Sequence, residues 1–128
     1  MKVNKIDHFV LTVNDIEKSA DFFSKVLGMH IRKFGNERTA LFFGCQKINL
    51  HQKDTKFDLN AKNPTVGSGD FCFITDTPIK QVIAHIKACN VEIVWGPIER
   101  AGATGPINSI YVYDPDGSII EIANYSRK

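Results

Sequence analysis

Apolar positions along the chain change period twice, and in the same order each time. Ile6–Val13 (IDHFVLTV) is a short apolar run with β-branched residues, which predicts a strand. Ile16, Ala20, Phe23, Val26 and Leu27 then recur at helical spacing. Asn14 stands at the cap position, Glu17 follows three residues later as in a capping box, and Gly28 supplies the stop. Three strand-like runs complete the first half: Met29–Phe34, Thr39–Phe43 and Lys47–Gln52.

Lys53–Ser68 is polar, contains Asn60, Asn63 and Pro64, and predicts a surface linker. The order then restarts. Asp70–Thr75 (DFCFIT) predicts a strand, Thr77 a helix cap, and Pro78 the first helical position. Ile79, Val82, Ile83 and Ile86 form the apolar stripe, and Asn90 closes the helix. Val91–Trp95 predicts a strand and Gly96–Pro106 a loop. Ser109–Tyr113 and Ser118–Asn124 are the last strands, joined by the turn Asp114-Pro115-Asp116-Gly117.

The halves superpose with a shift of 62 residues, which sets His8 on Asp70, Phe9 on Phe71, Leu11 on Phe73, Leu27 on Cys89 and Ile31 on Ile93. Ile48-Asn49-Leu50 likewise resembles Ile120-Glu121-Ile122. The expectation is an α+β protein of two βαβββ modules in a single domain: module one 5–52, linker 53–68, module two 69–125.

Composition narrows the function classes. The 128 residues are 43% hydrophobic and 23% charged, ordinary for a globular chain with a core. Net charge is +2 and no basic run interleaves with aromatics, so no nucleic-acid partner is expected. No segment approaches the ~18 apolar residues that span a bilayer, and the N-terminal stretch lacks a signal-peptide core, so neither membrane nor export is expected. Cys45, Cys72 and Cys89 are odd in number and far apart, with no Cys-x-x-Cys, which suits the reduced thiols of a cytoplasm.

Glu121 is the chemical anomaly. A carboxylate among Ile119, Ile120, Ile122 and Ala123 is costly unless something positive meets it. Two modules related by a pseudo-twofold place His8, Asn49, Asp70 and Glu121 in equivalent slots. His51 shares the strand face of Asn49, and Ala123 and Tyr125 share that of Glu121. Histidine, carboxylate and amide oxygen together suit a divalent cation such as zinc, nickel, manganese or ferrous iron. Simpler roles stand beside this: a rim ion pair for Glu121, a core position for His8, a surface one for His51, and a turn cap for Asp70. Arg38 and Arg100 suit substrate carboxylates or surface ion pairs. Gly102–Pro106 reads as a loop that closes over a ligand or as a plain connection.

DHFVLTV near the start and YDPDGSIIEI near the end resemble the vicinal oxygen chelate superfamily, which includes glyoxalase I, extradiol dioxygenases and bleomycin-resistance proteins. INLHQ, GSGDFCFIT and GPIERAGATGPI are similar to its short stand-alone glyoxalase-domain members. The resemblance implies a glyoxalase-like fold, a curved mixed sheet around a central cavity. It implies metal ligands on the first and last strands of each module. His8 and Glu121 match the family's ligand types. Asp70 stands where the metal enzymes carry histidine, and Asn49 where glyoxalases carry glutamate or glutamine, with His51 as a substitute ligand. The implied function is a divalent-metal-dependent lyase or isomerase acting on a small substrate that chelates through vicinal oxygens. Glu121 moves the proton, with His51 the alternative. A non-enzymic, antibiotic-sequestering protein and a ring-opening dioxygenase are the alternatives, and a homodimer is the implied assembly.

Overall fold

The computed structural model describes residues 1–35 and 38–126. The elements run β1 (His8–Val13), α1 (Ile16–Lys25), β2 (His30–Phe34), β3 (Arg38–Phe43), β4 (Gln46–Gln52), β5 (Asp70–Ile74), α2 (Ile79–Ala88), β6 (Trp95–Ala101), β7 (Pro106–Tyr113) and β8 (Ile119–Tyr125). This is βαβββ twice, the order that the hydrophobic pattern predicts. The strands form two four-stranded sheets, β1-β4-β3-β2 and β5-β8-β7-β6. They belong to two compact units, Met1–Gly67 and Ser68–Lys128. In each, the module's first strand runs parallel to its last and the other pairings are antiparallel.

In the first unit, strand alternation sends Leu11, Val13, Leu41, Ile48 and Leu50 to the side covered by α1, where Phe23 is fully buried. The helix begins one residue later than its sequence signal suggests. Asp15, not Asn14, has the extended cap conformation, and its side chain accepts the Lys18 N–H. Asn14 instead offers its backbone carbonyl to the Gln52 side-chain amide, whose oxygen accepts the Ile16 N–H at 3.1 Å. The end of β4 is thereby tied to the start of α1. Gly28 ends the helical segment at φ +70, where a side chain would be strained.

The second unit buries Val82 and Ile86 of α2 together with Ile110, Val112, Ile120 and Ile122. Three sequence expectations fail here. Thr77 is not the cap: Pro78 takes that position with no side-chain cap bond. Thr77 instead donates its N–H to Thr75 Oγ1 at 3.1 Å and offers its carbonyl to Asn124 Nδ2 at 2.8 Å. Val91–Val94 forms no strand, and the stretch expected to be a loop is largely strand β6, Trp95–Ala101. Gly96-Pro97 opens the stretch expected as a loop. In the sheet, Gly96 at φ +98 absorbs a bulge between Trp95 and Ile98, and pairing with β7 continues beyond it. Only Gly102–Gly105 remains as a hairpin connection, closed by the Gly102 N–H donating to the Gly105 carbonyl at 2.8 Å.

Candidate functional site

The faces turned away from the helices carry the polar residues singled out by the sequence. On the first sheet, His8 lies opposite Lys47 and Val10 opposite Asn49 across β1 and β4, and Thr12 lies opposite His51. His8, Asn49 and His51 therefore share one face, as alternation requires. His8 Nδ1 lies 2.7 Å from Asp7 Oδ2, which fixes the ring and leaves Nε2 as its available nitrogen. The same contact holds the Asp7 carboxyl below its ordinary range. Asn49 Oδ1 and His51 Nδ1 are buried without a hydrogen-bond partner. The His51 ring stacks on Phe57 with centroids 3.7 Å apart. Burial lowers its pKa, so the imidazole is neutral at pH 7 and able to donate a lone pair. Phe57, in the polar linker, is a contributor the sequence did not single out, and a lone aromatic in a polar stretch is its only signal.

On the second sheet, one row crosses four strands: Cys72, Glu121, Tyr111 and Trp95. Glu121 Oε2 accepts from Ser109 Oγ at 2.6 Å. The Cys72 thiol and Tyr111 hydroxyl flank the same carboxylate. Burial first, and then that charge, pushes Cys72 up to about 11 and raises Tyr111. Glu121 is thus met by neutral donors, and among the described residues no ion pair reaches it. Arg100 and Glu121 line one open recess, but the Arg100 guanidinium lies 5.2 Å over the Trp95 ring, which in turn stacks on Tyr111. Asp70 is exposed on the face of Glu121, opposite Ile119. The Tyr125 hydroxyl accepts the Thr104 N–H at 3.3 Å and ties down the hairpin connection. Arg38, at the start of β3, lines a cavity with Asn49 and His51. Ser109 and Tyr111 were not foreseen as site residues, because strand alternation alone does not reveal which neighbour reaches a carboxylate.

Among the described residues, no three of His, Cys, Asp and Glu stand close enough to hold an ion together. The individual donors nonetheless suit one. They are an imidazole oriented by a carboxylate, a neutral buried imidazole nitrogen, an orphaned amide oxygen, and a carboxylate oriented by hydroxyl donors.

Duplicated βαβββ modules, each with a parallel outer pair, define a glyoxalase-type fold. The chain belongs to the Glyoxalase/Bleomycin resistance protein/Dioxygenase superfamily, which it matches over residues 5–122. It is 52% identical over 125 residues to virulence protein STM3117 of Salmonella typhimurium, covering 98% of this chain and 87% of that protein. It is 45% identical to the glyoxalase domain-containing protein RDO1 of Mycosarcoma maydis, covering 98% and 70%. Among solved structures, an integron cassette protein from the mobile metagenome of V. cholerae (VCH_CASS1) matches with a TM-score of 0.96 and 50% identity, covering 98% of each chain.

Proposed function

We propose that the protein is a divalent-metal-dependent lyase or isomerase of the glyoxalase type, acting on a small substrate with vicinal oxygens. The observation that carries this is Glu121: a carboxylate on a sheet face, oriented by Ser109 and contacted by no cation among the described residues. A bound divalent ion supplies a Lewis acid for the two substrate oxygens and a positive partner for Glu121. His8, His51, Asp70 and Glu121 are the proposed ligands, drawn from one chain or shared between two. Glu121 moves the proton between neighbouring carbons, its orientation fixed by the Ser109 hydroxyl, and His51 is the alternative base. Asn49 hydrogen-bonds substrate or a ligand. Arg38 and Arg100 hold substrate carboxylate, and Tyr125 steadies the loop at the rim.

The proposed assembly is a homodimer. β1 and β5 each stand at one end of their sheet's strand order and carry exposed Val10 and Ile74. Exposed apolar side chains of this kind favour a covering surface. No helix among the described residues is long and apolar enough to cross a membrane.

One observation favours the sequestering alternative. Trp95 is half-exposed, stacked on Tyr111 and capped by Arg100, a platform suited to a flat ligand. Metal analysis separates the two readings. Untagged protein is expected to carry about one zinc, nickel, manganese or iron per chain, lost in His8→Ala and Glu121→Ala. Folded wild-type protein that takes up no metal at micromolar supply would overturn the enzymic reading and leave the platform as the ligand site.

A further inference from the structure

The first unit contains a cavity of about 680 Å³ at the end of its sheet, where β4 passes into the linker. Its lining is strongly one-signed: Lys33, Arg38, Lys47 and Lys56 against a single acid, Glu17. Glu17 is already engaged by Lys33 at 3.7 Å. Among the described residues, Arg38, Lys47 and Lys56 make no ion pair. Lys47 lies instead 5.3 Å over the Phe34 ring. Clustered cations repel one another, and a recess between low-dielectric walls strengthens their field. An anion relieves that repulsion.

A second observation points to the same place. Asn49 Oδ1 and His51 Nδ1 line this cavity and are buried without partners. An orphaned buried acceptor costs about 1–3 kcal/mol and is satisfied by an incoming O–H donor. The site thus asks for two features in one molecule, a carboxylate for the cations and a hydroxyl for Asn49. The His51–Phe57 stack gives the recess one firm apolar wall.

We propose that this cavity binds a small organic carboxylate that also carries a hydroxyl group, the anionic arm of the substrate. The inference rests on the proposed function in treating the ligand as substrate, but the binding itself needs no metal. Arg38 and Lys47 take the carboxylate, and Asn49 accepts from the hydroxyl.

The test is isothermal titration of metal-stripped protein, in EDTA, with L-malate, succinate and inorganic phosphate. Malate is expected to bind one per chain. Succinate, which lacks only the hydroxyl, is expected to bind roughly tenfold more weakly, and phosphate more weakly than malate. Arg38→Gln and Lys47→Gln are each expected to weaken malate by roughly tenfold, and added salt to weaken it further. Amide shifts on titration should fall within residues 33–57. Absence of malate binding, equal binding of malate and succinate, or affinity unchanged in both variants would overturn the inference. Metal content is measured separately: malate binding by a chain that takes up no metal sinks the proposed enzyme and leaves this site, and the converse leaves the enzyme without it.

Discussion

The hydroxyl of Ser109 and the carboxylate of Glu121 lie 2.6 Å apart on neighbouring strands β7 and β8. They are a diagonal pair: Ser109 faces Ala123 directly, and Glu121 is two residues before it on the same face. Ser109 is fully buried, so its rotamer is set by packing and the carboxylate is fixed through it. Ser109→Ala removes one charge-assisted bond and is expected to cost about 1.5–3 kcal/mol of stability. If Glu121 is a metal ligand, the same substitution should weaken nickel binding roughly 10–100-fold by titration calorimetry, while Ser109→Thr retains much of it. Unchanged nickel affinity in Ser109→Ala would separate Ser109 from the metal.

Cys72 sits directly opposite Glu121 and should be a poor nucleophile. The residue is exposed as a whole, but burial of the thiol beside that carboxylate pushes its pKa up to about 11. At pH 7.5 the thiolate is scarce, so alkylation by iodoacetamide is expected to be roughly two orders of magnitude slower than at an ordinary cysteine. Glu121→Gln should speed it only in part, because burial is the larger cause. Peptide mass spectrometry over a time course gives the rate, and rapid labelling of Cys72 would contradict this environment.

Much of the architecture was legible because two periodicities alternate plainly. Phe23 and Val26 share a helical stripe, and Ile120 and Ile122 share a strand face, all four buried as patterned. What failed was local competition. Asn14 and Thr77 both have cap chemistry, yet the backbone placed Asp15 and Pro78 at the caps. Gly96-Pro97 has turn chemistry, yet cross-strand pairing with β7 carried the strand through it. For the site, alternation correctly placed Asn49 with His51 and Glu121 with Tyr125. It did not reveal that neutral hydroxyl and thiol donors, rather than an arginine, meet Glu121, because such contacts depend on rotamers and register.

Asp114 offers a pH-dependent test of the turn that aims β8. Its Oδ1 accepts the Asp116 and Ser118 N–H groups at 2.9 Å, while Oδ2 is buried without a partner. Burial outweighs those donors and raises its pKa above 3.8. A raised folded-state pKa means the folded chain holds this proton more tightly than the unfolded chain. Its stabilising share is therefore present below pH 3.8 and is lost as pH rises through the folded value. Asp114→Asn keeps the Oδ1 acceptor without the charge, so its stability relative to wild type should increase between pH 3.5 and 7. Asp114→Ala, which removes both bonds, should cost about 1–3 kcal/mol at pH 3.5 and less as pH rises, since it too lacks the titrating carboxyl. Urea unfolding across that range checks both, and an Asn variant whose relative stability falls with pH would refute the assignment.

Gly96 couples the bulge of β6 to the same carboxylate. Its φ of +98 disfavours any side chain, and a Cβ built there would lie 2.4 Å from the Ser109 carbonyl oxygen. That neighbour is backbone in a paired central strand and cannot rotate aside. Gly96→Ala is therefore expected to cost about 2–4 kcal/mol, combining left-handed strain with the clash. Relief requires β6 and β7 to separate near Ser109, which moves the hydroxyl that orients Glu121. The amide resonances of Ser109 and Glu121 should shift together in this variant. A change in the other unit such as Gly44→Ala, whose Cβ meets nothing within 4 Å, should strain only its own turn and leave those resonances in place. Equal perturbation of Glu121 by both substitutions would show that Gly96 has no specific hold on the carboxylate.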